Sequence, residues 1–182
     1  ISIPLMYEMP SILAFWLKTV PPNTEIFCRA LMIAFICDQT TLGLHAANQA
    51  MGKIKVYTIA TTLPKIMLIP IMWGVLKLGG SVEVAMACYI VIELLVAIFR
   101  LPYMHYSAKL NVGNYISRVI MPLVPLCVIE CIVCHLMTSI LQIPFRFLLT
   151  GLVSLMASCV AIWFFTFTKS ERNYFVKLIK RK

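Results

Sequence analysis

Six ionisable residues carry the chemistry that this sequence offers, and each lies within a long apolar run: Arg29, Asp38, Lys65, Glu93, Arg100 and Glu130. A charged side chain at mid-bilayer costs about 2.5–3.5 kcal/mol on insertion scales, so such groups belong beside a partner or a water-filled cavity. Arg29, Lys65 and Arg100 would attract an anionic group. Asp38, Glu93 and Glu130 would exchange protons or bind a cation. The competing reading is structural, with interhelical salt bridges such as Lys65 to Glu93 holding a bundle together. A purely structural bundle can use small residues and hydroxyls instead, so the set as a whole favours a polar cavity.

Helical spacing sorts these residues onto faces. Asp38, Thr41, His45, Asn48 and Gln49 fall on one side of a continuous helix. Arg29, nine residues before Asp38, points the other way and lies near the outer end of its run, where its stem can snorkel. Thr58, Thr61, Thr62 and Lys65 share a second face, and Tyr89, Glu93 and Arg100 a third. Glu130 sits deep in a fourth run, on a face with Cys127, Cys131, Cys134 and His135. Those are metal-ligand types, but their spacing matches no common zinc pattern, and no metal site is expected. The seven cysteines form no framework of exposed pairs and read as small hydrophobes. A Gly-rich phosphate loop, a nucleophile elbow and HExxH are all missing from the sequence, so no catalytic residue, no cofactor and no enzymatic activity are expected.

The elements that must position these groups follow from composition. The chain is 61% hydrophobic and 13% charged, against about 45–50% apolar and about 25% charged in soluble domains. Lipid is therefore its expected solvent. Runs this long and apolar are helices, since only helices and closed barrels satisfy their backbone in a bilayer. The expected fold class is all-α: a polytopic transmembrane bundle of about five spans, at about 24–49, 54–78, 82–104, 115–138 and 145–167. The linkers are short, which makes sequential helices antiparallel neighbours. Residues 1–23 read as an interfacial segment, with 1–8 ending a preceding span or lying at the interface. A brief helix is expected at 11–19, with Trp16 beside Lys18 at the headgroup level. Residues 111–114 read as a polar loop. Gly151, Ser154, Ser158 and Ala161 form a small-residue stripe that reads as structural packing.

The net charge is +9, and six of the sixteen basic residues lie in the last fourteen positions. Beside a span, such a basic tail (168–182) fixes orientation and meets anionic headgroups, and no nucleic-acid partner is expected. Thr168-Lys169-Ser170-Glu171 reads as a capping box opening a short tail helix. Lys53, Lys55, Lys109 and Arg118 fall on the tail's side if five spans cross, whereas Lys18, Lys77 and Arg146 lie singly on the other. That bias puts the C-terminus in the cytoplasm. The chain opens on Ile1 without a signal-peptide pattern, so it is expected to be the C-terminal part of a longer protein.

Two stretches point to a family. One is Pro10-Ser11-Ile12-Leu13-Ala14-Phe15-Trp16-Leu17 followed by Val20-Pro21. The other is Ala46-Ala47-Asn48-Gln49-Ala50-Met51-Gly52-Lys53-Ile54-Lys55-Val56-Tyr57. Together they resemble the second half of bacterial polysaccharide flippases, the O-antigen and lipid-linked-oligosaccharide translocases of the multidrug/oligosaccharidyl-lipid/polysaccharide exporter superfamily. Lys169-Ser170-Glu171-Arg172 before a basic C-terminus is similar too. The resemblance implies a location in the bacterial inner membrane and two lobes around a cavity that opens alternately to either side. This chain would supply part of the second lobe and would not transport alone. The implied partners are membrane lipid, a lipid-linked oligosaccharide substrate and the missing N-terminal lobe. Family members use cavity Arg and Lys against the substrate pyrophosphate, a role that depth and chemistry extend to Arg29, Lys65 and Arg100. A drug/cation antiporter of the same superfamily is the alternative, with a smaller cavity and ion coupling at Asp38 or Glu93. An integral-membrane enzyme acting on lipid-linked sugars is the other. It needs a catalytic loop, for which the linkers are too short.

Overall fold

A chain that buries its backbone in lipid must close every hydrogen bond within its own segments, and this one does so as helices. The computed structural model describes residues 1–52, 54–140 and 145–167, and among them no strand occurs. The helices are α1 (Ser2–Tyr7), α2 (Met9–Trp16), α3 (Thr24–Gln39), α4 (Leu42–Ala50), α5 (Ile54–Lys77), α6 (Val82–Ala108), α7 (Val112–Tyr115), α8 (Met121–Ile140) and α9 (Arg146–Ala161). Wider π-type turns at Ile116–Ile120 and Ile162–Thr166 precede α8 and follow α9. The first lies directly before Pro122. That proline has no N–H for the preceding turn, and its ring crowds the carbonyl four residues back.

Among the described residues, four helical stretches are long and apolar enough to cross a membrane: Ile54–Lys77, Val82–Ala108, Val112–Ile140 and Arg146–Thr166. The bent pair α3 and α4 would make a fifth crossing. The chain is thus an all-α protein of membrane-spanning type. Its exposed surface fits lipid, since Ile59, Leu63, Ile66, Ile69 and Trp73 of α5 all face outward. Residues 141–144, which link the last two expected spans, Lys53 and the tail at 168–182 with its capping box lie outside the described residues.

The chain divides into two compact units. In residues 16–116, α6 is central, with α3, α4 and α5 each packed against it. The first expected span is not one straight helix: α3 and α4 meet at 47°. The break has a local cause. Thr40 Oγ1 donates to the Cys37 carbonyl at 2.7 Å, and Thr41 Oγ1 to the Asp38 carbonyl at 3.3 Å. Such back-bonding competes with the helical ladder and bends it. Side chains from neighbouring helices then satisfy carbonyls at the break. Tyr115 Oη donates to Thr40 O at 2.7 Å and Arg100 Nη1 to Asp38 O at 3.4 Å.

The other unit comprises residues 1–15 and 117–182, where α1, α8 and α9 pack on one another. Three expected boundaries move. The brief N-terminal helix runs over Met9–Trp16 rather than 11–19. The third span continues to Ala108 instead of ending at 104. Residues 112–115 form a helical turn rather than a loop, because the Asn111 side chain caps the Asn114 N–H at 3.1 Å.

Candidate functional site: a four-charge cluster

Three helices of the unit spanning residues 16–116 bring four ionised side chains together. Glu93 and Arg100 are seven residues apart on α6, two turns along one face. Lys65 lies midway along α5, and Asp38 lies in the last turn of α3. Because α3 and α5 both pack on α6, their polar residues meet in the groove between them. Lys65 Nζ is 2.8 Å from Glu93 Oε2 and 4.0 Å from Asp38 Oδ1. Arg100 Nη2 is 2.8 Å from Asp38 Oδ1, and its Nη1 donates to Thr41 Oγ1 at 3.0 Å. The cluster opens into a cavity of about 360 Å³, whose lining includes Leu31, Phe35, Asp38, Lys65, Tyr89 and Glu93.

Two acids and two bases leave the cluster neutral, so no member is an isolated charge in lipid. Their exposure differs, and the difference assigns roles. The Lys65 side chain is 38% exposed and that of Asp38 28%, against 7% for Arg100. Arg100 is held by three partners at the helix break and acts as a pin. Lys65 faces the cavity and is the more exposed of the two bases.

The other expected site residues lie elsewhere. Arg29 pairs with Glu25 at 2.7 Å on its own helix, outside the cluster, and both are more than two-fifths exposed. His45 and Gln49 bond each other at 3.0 Å on α4, where the 47° bend takes them out of register with Asp38. Glu130 belongs to the other unit. Its carboxylate accepts hydrogen bonds from Ser154 and from Ser158, the latter at 2.5 Å, and among the described residues no base is ion-paired with it. The small-residue stripe of α9 is therefore more than packing, because two of its hydroxyls clasp Glu130. Hydroxyls at i and i+4 on a helix next in sequence to a deep carboxylate are the signal that the sequence reading passed over. No group of three His, Cys, Asp or Glu among the described residues could hold a metal ion.

Sequence reading also missed Glu8. It is 1% exposed, accepts Arg146 Nε at 2.8 Å and Nη2 at 3.1 Å, and receives the Thr150 hydroxyl at 3.0 Å. Burial alone would push this carboxyl up, but the hydrogen bonds from Arg146 and Thr150 and the Arg146 charge together hold it below its ordinary range. A lone carboxylate between apolar residues was the available clue.

No family model, curated protein or solved structure matches this chain.

Proposed function

We propose that this chain takes part in moving polysaccharide or lipid-linked oligosaccharide across the bacterial inner membrane by alternating access, as part of one exporter lobe. One observation carries the reading: Asp38, Lys65 and Glu93 converge from three helices on an open cavity, with Arg100 paired to Asp38 behind them and Lys65 midway along a helix long enough to span. A bundle that only needs to hold together has cheaper means than four ionised side chains in lipid. The cargo class rests on the resemblance of the Trp16-Leu17 and Gly52-Lys53-Ile54-Lys55 stretches to polysaccharide flippases. The basic linkers and tail support a cytoplasmic C-terminus. The proposed role is carriage rather than catalysis.

In this reading Lys65 meets the anionic group of the cargo, while Asp38 and Glu93 hold it neutral between turnovers. Lys65→Ala in the native host should abolish surface polysaccharide; because it strips the buried Glu93 carboxylate of its ion pair, a change that destabilises, export is compared at matched membrane abundance. Lys65→Arg should retain export in part. Export that survives Lys65→Ala would remove this site from cargo binding.

One observation favours a second reading, a drug or cation antiporter. The cavity, at about 360 Å³, falls in the range of small-ligand pockets, about 300–1,000 Å³. That reading places the dependence on Asp38 and Glu93 instead. Loss of drug resistance in Asp38→Asn and Glu93→Gln, with polysaccharide unaffected, would select it.

A further inference from the structure

Beyond the cluster, on the side toward α4, three polar atoms are buried with no hydrogen-bond partner among the described residues: Tyr57 Oη, Arg100 Nε and His45 Nδ1. Tyr57 is 0% exposed and Arg100 6%. Ring contacts and helical register link the three residues. The His45 and Tyr57 rings are 5.4 Å apart, and those of Tyr57 and Tyr103 are 5.2 Å apart. Tyr103 is one turn beyond Arg100 on α6. Arg100 in turn binds Thr41, one turn before His45. Asn48, 0% exposed, lies one turn beyond His45 on the same face of α4.

The donors can be assigned. Gln49 Nε2 lies 3.0 Å from His45 Nε2, so an amide N–H donating there places the neutral ring's own proton on Nδ1. The orphaned set is then two N–H donors, from His45 and Arg100, and one phenol that both donates and accepts. A water oxygen accepts two hydrogen bonds and returns a proton to an acceptor, which matches this set. Buried waters commonly make about three bonds to groups left unpaired by the protein.

We infer that α4, the start of α5 and the end of α6 enclose a short column of bound water running from the exposed Gln49 to Arg100 and Asp38. The column gives water, and the protons it carries, access to the Asp38 carboxylate from the α4 end of the unit. The titratable and charged groups facing it are His45 on α4, Tyr57 on α5, Arg100 and Tyr103 on α6, and Asp38 on α3. It concerns water rather than cargo and stands independently of the translocation reading.

X-ray hydroxyl-radical footprinting of the full chain in lipid nanodiscs tests this, because radicals form in place from bound water. Tyr57, although 0% exposed, should label at a rate comparable to that of Tyr106, which is 91% exposed. Tyr57→Phe should lower the labelling of His45 and Tyr103 while Tyr106 is unchanged and the buried Met86, 5% exposed, stays protected, which reports that the variant has folded. A rate for Tyr57 far below that of Tyr106, as low as that of the buried Met86, would overturn the inference. So would unchanged labelling of His45 and Tyr103 in folded Tyr57→Phe.

Discussion

Arg100→Met should lower the stability of the unit spanning residues 16–116 by about 3–5 kcal/mol, the usual cost of stripping one partner from a buried ion pair. The guanidinium is 6% exposed and reaches Asp38 Oδ1, Asp38 O and Thr41 Oγ1 at 2.8, 3.4 and 3.0 Å. Without it, the Asp38 carboxylate keeps only Lys65, at 4.0 Å, and the α3–α4 break loses one of its two interhelical donors. The measurement is the unfolding midpoint in detergent, together with membrane abundance. Arg100→Lys should recover only part of the loss, because one compact ammonium nitrogen lacks the spread of the planar guanidinium, whose Nη2 meets Asp38 while its Nη1 meets Thr41. Adding Asp38→Asn to Arg100→Met should recover more, since it removes the uncompensated charge. An unchanged midpoint in Arg100→Met would show that the cluster does not hold the helices. It would also undo the division of labour in which Arg100 pins and Lys65 receives.

The different burial of Arg100 and Lys65 was not legible in the sequence. Helical spacing placed Glu93 and Arg100 on one face correctly and suggested the Lys65–Glu93 pair, which is present at 2.8 Å. Both inferences need only a continuous helix and a short linker. The apolar runs likewise marked the crossings, because lipid leaves a chain few alternatives. Spacing failed where the helix stops being regular. Thr40 and Thr41 look like ordinary polar residues inside an apolar run, yet their hydroxyls turn back on the ladder and bend it, so a face drawn through Asp38, Thr41 and His45 does not exist as one surface. Spacing also failed where partners lie far apart in sequence. Glu8 and Arg146 are 138 positions apart, and each taken alone looks interfacial. Only packing of α1 against α9 makes them a pair.

The second large effect belongs to that pair. Arg146→Leu should cost the unit of residues 1–15 and 117–182 about 3–5 kcal/mol, because one side chain serves two neighbours. Its Nε and Nη2 fork to the Glu8 carboxylate, and its Nη1 donates to Thr138 O at 3.2 Å, one of the carbonyls left open near the end of α8. Glu8→Leu should cost a similar amount, since it leaves a guanidinium and the fully buried Thr150 hydroxyl facing an apolar side chain. Glu8→Gln should cost less, because the amide oxygen still accepts. The decisive measurement is a double-mutant cycle on the unfolding midpoint. Glu8→Leu with Arg146→Leu should lie well above the sum of the single losses, with a coupling of about 2–3 kcal/mol, because two apolar side chains suit this packing better than one stranded ion. Additive losses would mean that the two residues act separately, and that apolar packing alone docks α1 onto α8 and α9.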